Sequence, residues 1–250
     1  MDHREPRRHG PVLPGVLVVL VLLGLVVLRD PGGSGDRLRA LLGTEQRRAA
    51  AVAVPEGGGA YRFAATQPDS DEPVSWNPCR DIEYVVNPAG APAHWPTLVE
   101  RSVATVSAAT GFRFAFGGET DDRNFTDRIG ALGRSAPVLI GFADEEEVAD
   151  LAGDVAGVGG AAYLETPGHW RYSTGMVVLD TDVFTDLSPG GDPRALALQA
   201  AILDHELGHV VGLGHVDSRA ELMHADNIGR TSFGPGDRQG LALLGAAPCG

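Results

Sequence analysis

The chain has 250 residues, 43% of them apolar, and a formal net charge of −13. This length accommodates one ordinary domain with attachments, or two small domains. Arginines and acidic residues balance within residues 1–75, so the whole negative charge lies in residues 76–250. An acidic domain of this kind repels phosphate backbones, which disfavours nucleic-acid binding.

An apolar segment without a charge occupies residues 12–28, after a short arginine-containing tail at residues 1–11. Its 17 residues are few for a membrane span and many for a signal-peptide core. No small-x-small cleavage site follows directly, because Arg29, Asp30 and Pro31 come next. We therefore expect an uncleaved signal anchor with the following domain outside the cell. The alternative is a cleaved signal and a secreted protein.

The arginine count is in tension with this orientation. Three arginines precede the apolar segment and five follow it closely, whereas the positive-inside rule keeps the more positive flank in the cytoplasm. Large folded domains are translocated largely regardless of such charges, so we retain the external location. Residues 29–75 are rich in Gly, Pro, Ala and charge. This composition predicts a linker, stalk or pro-segment before a domain at residues 76–250.

Helix and strand patterns alternate along residues 76–250. Apolar strand patterns occur at residues 82–87, 112–116, 138–142, 160–164 and 176–180. Helical patterns occur at residues 95–110 before Gly111, at 193–211 after the capping residue Asp192, and at 236–244. This order predicts an α+β domain with one mixed sheet.

The segment HELGHVVGLGH, residues 205–215, carries the clearest chemical signal. His205 and His209 are four residues apart on a predicted helix, so their imidazoles project from one face and can share one zinc ion. Glu206 lies beside them, where it can take a proton from an attacking water. A surface histidine pair is the alternative interpretation of the helical spacing alone.

Gly212 extends the motif. Glycine adopts a positive φ at little steric cost, so the chain can leave the helix sharply and bring back His215 as a third ligand. Three protein ligands leave one position open, which is typical of a catalytic zinc site. Five fixed residues in this spacing arise by chance in roughly one chain in ten thousand.

The extended motif resembles that of the metzincin metallopeptidases, HExxHxxGxxH. Met223, within AELMHAD, resembles the methionine turn that lies beneath the zinc in that family. The short spacing from His215 and the preceding Leu222 are most similar to the matrixin branch. The resemblance covers residues 76–250 and implies a zinc-dependent endopeptidase that acts on proteins or peptides. The implied fold has a mixed twisted sheet, an active-site helix and a C-terminal helix.

The resemblance also implies an edge strand that pairs with extended substrate. That strand would consist of Gly160, Ala161, Ala162, Tyr163 and Leu164. Two positions depart from the matrixin pattern, since Val216 replaces the usual serine and Ala225 the usual proline. Residues 29–75 contain no cysteine, so the cysteine switch of matrixins is absent.

Cys79 and Cys249 lie at the two ends of the predicted domain. A disulfide is expected if the domain is outside the cytoplasm, and two free thiols are the alternative. The acidic run at residues 144–150 is interpreted as a solvated face. Calcium at this run is possible but unsupported. Asp154 and His169 are faint candidates for further metal ligands, although a plain loop is the simpler interpretation.

Two other functions remain open at this point. The first is a non-catalytic, zinc-containing cell-surface binding module on the same scaffold, which the intact Glu206 argues against. The second is an intracellular metalloprotein, which free thiols at both cysteines would support. The sequence does not indicate an oligomeric state.

Overall fold

The computed structural model describes residues 45–130, 133–166, 169–187, 192–226 and 229–249. The apolar segment at residues 12–28 lies outside these ranges, so its prediction as a membrane anchor is not addressed. Among the described residues, no helix is both long and apolar enough to cross a membrane.

One five-stranded mixed sheet organises residues 47–249, which form one compact unit. Its strands are β2 (Ile82–Val86), β3 (Phe114–Glu119), β4 (Val138–Ala143), β5 (Gly157–Thr166) and β6 (His169–Asp180). Their spatial order is β3-β2-β4-β6-β5, and every pair is parallel except β5 with β6. The antiparallel β5 therefore forms one edge of the sheet. A separate two-stranded ribbon joins β1 (Arg62–Phe63) to β7 (Leu213–Gly214).

Four α-helices accompany the sheet in the described part of the chain. They are α1 (Trp95–Thr110), α2 (Thr181–Asp186), α3 (Pro193–Val211) and α4 (Pro235–Gly245). The start of α3 follows from Asp192, whose carboxylate accepts a hydrogen bond from the Arg194 amide at 2.9 Å, with Pro193 in the first turn. The end of α1 follows from Gly111, which adopts the left-handed conformation. These two long helices match their sequence-based predictions.

The core lies mainly between the sheet and the helices. Alternate side chains of the central strands, such as Ile140 and Val177, join α1, α3 and α4 in one large apolar cluster. The intervening residues, such as Leu139 and Val178, form a smaller cluster on the other face. This alternation follows from the two-residue period of a strand. The sheet and helices together confirm the predicted α+β class, with a mixed sheet, a motif-bearing helix and a C-terminal helix.

The compact unit begins earlier than the boundary predicted at residue 76. β1 pairs with β7 directly before His215, and the Ala64 amide donates to the Gly212 carbonyl at 2.8 Å. Val74 is fully buried in the main core. Local composition did not reveal this docking, because every partner lies far away in the sequence.

The two cysteines form a disulfide, with Cα atoms 5.6 Å apart. The predicted bridge between Cys79 and Cys249 is therefore confirmed, and the free-thiol alternative is wrong. The bridge links Cys249 to Cys79, which lies three residues before β2.

Candidate metal centre

Helix α3 displays the two histidines of the motif on one face. His205 and His209 are separated by four residues, or about one helical turn. Between them, Gly208 leaves room for the side chain of Met223, whose sulfur would lie 2.7 Å from any Cβ at that position. Met223 is thus buried against the helix turn that carries both imidazoles.

Gly212 ends α3 and redirects the chain. Its φ of 118° is left-handed, and a Cβ there would meet Leu244 at 2.9 Å and Tyr172 at 3.0 Å. Both the backbone and the packing therefore require glycine. The chain continues through β7 and brings His215 back toward α3, as predicted.

The three imidazoles meet through their Nε2 atoms. The Nε2 separations are 3.1 Å for His205–His209, 3.1 Å for His205–His215 and 3.0 Å for His209–His215. Three nitrogens that bind one tetrahedral zinc are separated by roughly 3.3 Å, from the usual zinc–nitrogen length. The histidine triad therefore has the spacing of a three-nitrogen zinc site.

Backbone carbonyls fix the tautomers of two of these rings. Nδ1 of His205 donates to the Leu222 carbonyl, and Nδ1 of His209 donates to the Leu213 carbonyl, each at 2.8 Å. A carbonyl can only accept, so the ring proton resides on Nδ1 and Nε2 carries a lone pair. Such carbonyl partners orient metal-binding histidines.

Burial keeps the imidazoles neutral. Desolvation lowers the pKa of His205 to about 4 and that of His209 to about 3, with a contribution from the neighbouring histidines. The pKa of His215 is also lowered, first by burial and then by Arg62 and His224. At neutral pH, the Nε2 atoms of His205 and His209 therefore both present lone pairs toward the centre of the triad. A bound cation relieves this arrangement, so the residues fit zinc.

Glu206 sits beside the triad in an apolar setting. Only 7% of its surface is exposed, and this burial raises the pKa of its carboxyl group to about 8, against a backbone hydrogen bond from Gly159 that lowers it. β5 comes very close to α3 here, since a Cβ on Gly159 would lie 2.4 Å from the Glu206 carbonyl oxygen. A raised pKa suits a carboxyl group that exchanges protons near neutral pH.

The triad and Glu206 open into one cleft of about 690 Å³. One wall is the face of α3 that carries Leu198, Ala201 and Ile202, and another is the N-terminal half of β5. The predicted substrate strand Gly160–Leu164 lies within β5, at the sheet edge. However, the residues of β5 that line the cleft are 157–159, which come just before the predicted substrate strand.

A carboxylate that the motif did not reveal supports the turn under the metal centre. Asp237, fully buried in the first turn of α4, accepts from the amides of Leu222, Met223 and Gly234 at 2.5, 3.4 and 2.8 Å. The Leu222 carbonyl then faces His205. In the sequence, Asp237 is recognisable only as an acidic residue at the third position of a helix. That pattern by itself predicts a helix cap and not a support for the metal centre.

The two aspartates that flank the motif do not orient the rings. Asp204 is buried against α1 near Ser102, and burial raises the pKa of its carboxyl group to about 6. Asp217 is exposed. The carbonyls of Leu213 and Leu222 hold His209 and His205 instead.

The acidic run at residues 144–150 behaves as a surface turn. Asp144 accepts from the Glu147 amide at 3.0 Å, and Glu147 forms an ion pair with Arg123. Within the described residues, the histidine triad is the group of three side chains placed to share a metal ion. Neither Asp154 nor His169 belongs to such a group, so calcium gains no support there.

No family model matches the chain, and no curated protein sequence matches it. Among solved structures, archaemetzincin from Methanopyrus kandleri is 15% identical, with a TM-score of 0.39, over 66% of this chain and 95% of that chain. The GM1-bound form of the ECX AB5 holotoxin is 14% identical, with a TM-score of 0.36, over 66% of this chain and 82% of that one. Scores this low assign no activity, and neither structure supports the matrixin branch.

Proposed function

We propose that the chain is a zinc-dependent endopeptidase of the metzincin type. The observation that carries the proposal is the convergence of three histidine Nε2 atoms, at 3.0–3.1 Å, beside the buried Glu206. A structural zinc site usually closes the coordination shell with four protein ligands. Here three ligands face a cleft, which leaves room for water and substrate.

In this function His205, His209 and His215 hold the ion. Zinc supplies a Lewis acid that acidifies water and polarises a carbonyl oxygen. Glu206 accepts the proton from the attacking water and delivers it to the leaving amine. The water oxygen forms the new bond to the scissile carbon, the carbon–nitrogen bond breaks, and the enzyme stays unmodified.

An extended substrate is the natural partner of β5. This strand forms an edge of the sheet, so its outer backbone groups can pair with a peptide main chain. Residues 157–159 already line the cleft beside Glu206. Pairing along β5 would therefore carry a scissile bond past the metal centre.

The external location is part of the proposal. The disulfide between Cys79 and Cys249 suits an oxidising compartment. Residues 12–28 would anchor the chain in the membrane, or would be removed on secretion.

The test is cleavage of an unbiased peptide library by the full-length zinc-loaded chain. We expect a chelator to abolish cleavage and added zinc to restore it. Glu206→Ala should lower cleavage at least about a hundredfold while one zinc stays bound. Glu146→Ala, which removes an exposed carboxylate from the acidic run, should leave the rate unchanged. A folded, zinc-loaded chain that cuts nothing would favour the binding-module alternative.

A further inference from the structure

One cation lines the cleft beside the metal centre. Arg230 lies on the segment between Met223 and α4, and it shares the cleft lining with His205 and Glu206. Among the described residues, Arg230 is the only arginine that lines this cleft. Arg230 therefore adds a positive charge to the lining of the cleft in which a peptide would bind.

The Arg230 guanidinium has one donor that no described residue matches. Its Nε is shielded from solvent and has no hydrogen-bond partner. Arg123 and Arg128, by contrast, form ion pairs with Glu147 and Asp122. A buried N–H without an acceptor is costly, so a carboxylate that draws this half-buried side chain into the cleft gains affinity by relieving that cost.

The acidic residues of the cleft do not fill this role. Asp154 and Asp226 also line it, but both are exposed, and no ion pair joins either of them to Arg230 in the described structure. An exposed carboxylate is well solvated without a partner. Of these charged groups, the Arg230 guanidinium is therefore the one whose unmatched N–H favours a ligand.

Another part of the cleft lining is apolar and short. Leu198, Ala201 and Ile202 lie on the face of α3 that precedes His205. Leu198 is seven residues from His205, about 10 Å along the helix axis. This length corresponds to roughly three residues of extended peptide. Because Arg230 shares this cleft with His205 and Glu206, we expect a group that it binds to lie within a few residues of the scissile bond.

We propose that Arg230 selects substrates that carry a carboxylate near the scissile bond. The proposal rests on the peptidase function proposed above and specifies its substrate class. An apolar stretch and one guanidinium in the same cleft suit a carboxylate on a short aliphatic stem, and Arg binds carboxylates through two parallel N–H donors. The carboxylate belongs either to an acidic side chain or to the peptide C-terminus.

The experiment compares matched peptides on the full-length zinc-loaded chain. One series has Glu, Gln or Lys at each position flanking the scissile bond, and a second has a free or amidated C-terminus. We expect kcat/KM for the preferred carboxylate peptide to exceed that for its amide by about tenfold to a hundredfold. A preference confined to the side-chain series, or to the terminal series, identifies the source of the carboxylate.

Three variants complete the test. Arg230→Gln should reduce the carboxylate preference to within about twofold, and Arg230→Glu should favour the Lys peptide. Arg219→Gln is the matched control, because it removes an exposed arginine of the preceding loop. All variants should keep one bound zinc and an unchanged melting temperature.

Equal cleavage in both series, of Glu against Gln peptides and of free against amidated C-termini, would overturn the proposal and leave the peptidase function intact. A preference that survives in Arg230→Gln would do the same. Affinities of the same peptides for zinc-loaded Glu206→Gln give a readout that needs no turnover. If the wild type cuts nothing, the proposed function fails, and these affinities still decide whether Arg230 selects carboxylates.

Discussion

The motif segment 205–223 and the N-terminal segment 47–75 contribute to the same metal centre in opposite ways. The first supplies its chemistry through residues whose spacing is local and regular. The second supplies support through distant contacts, such as the β1–β7 pairing directly before His215. The difference shows that the ligands of a site can be evident in a sequence while its supporting structure is not.

Removal of the N-terminal segment gives the largest expected effect. A chain that begins at residue 76 loses β1, the buried Val74 and the amide that holds the Gly212 carbonyl. We expect a loss of at least about 5 kcal/mol in the free energy of unfolding, from the apolar burial and hydrogen bonds together. Because domains are only marginally stable, this chain should fail to unfold cooperatively in urea.

The control is a chain that begins at residue 47, which retains the whole compact unit and should unfold cooperatively. If the chain from residue 76 unfolds with the same midpoint, residues 47–75 are an independent linker and the comparison above is wrong.

A smaller effect is expected where β5 touches α3. Gly159→Ala puts a methyl group 2.4 Å from the Glu206 carbonyl oxygen, so strand and helix must separate. We expect a loss of about 1–3 kcal/mol in the free energy of unfolding, together with slower peptide cleavage. Gly160→Ala meets no atom within 4 Å and should be nearly neutral in stability. Equal unfolding midpoints for the two variants would contradict the close strand–helix contact.

The smallest effect should separate stability from metal binding. Gln67, in the N-terminal segment, donates to the carbonyls of Pro73 and Trp170 and accepts from the Trp170 amide. Gln67→Ala should cost about 1–2 kcal/mol in chemical denaturation while zinc affinity changes less than about twofold. The exposed Asp69→Ala serves as the neutral reference. A large drop in zinc affinity would show that the segment acts on the metal directly.

The sequence predicted the parts of the fold that depend on local signals. α1 and α3 begin and end as expected, because Pro193, Gly111 and Gly212 act on adjacent residues. The convergence of the histidines follows from the same local rules.

The remaining parts depend on pairing across the chain. Composition alone made residues 47–75 appear to be a linker. The hydrogen bonds that Asp237 accepts from the Leu222 and Met223 amides join α4 to the turn under the metal centre. The Nε atom of Arg230 is shielded only once the cleft has folded. No spacing pattern encodes such contacts, so they appear only in the structure.

Zinc binding by the full-length chain tests the central claim most directly. The metal-stripped protein is titrated with Zn²⁺ in a calorimeter, and the metal content of the product is measured. We predict one zinc per chain, retained in Glu206→Ala and lost in His209→Ala. A folded chain that binds no zinc, or that binds it equally well without His209, would contradict the metal centre on which the proposed function rests.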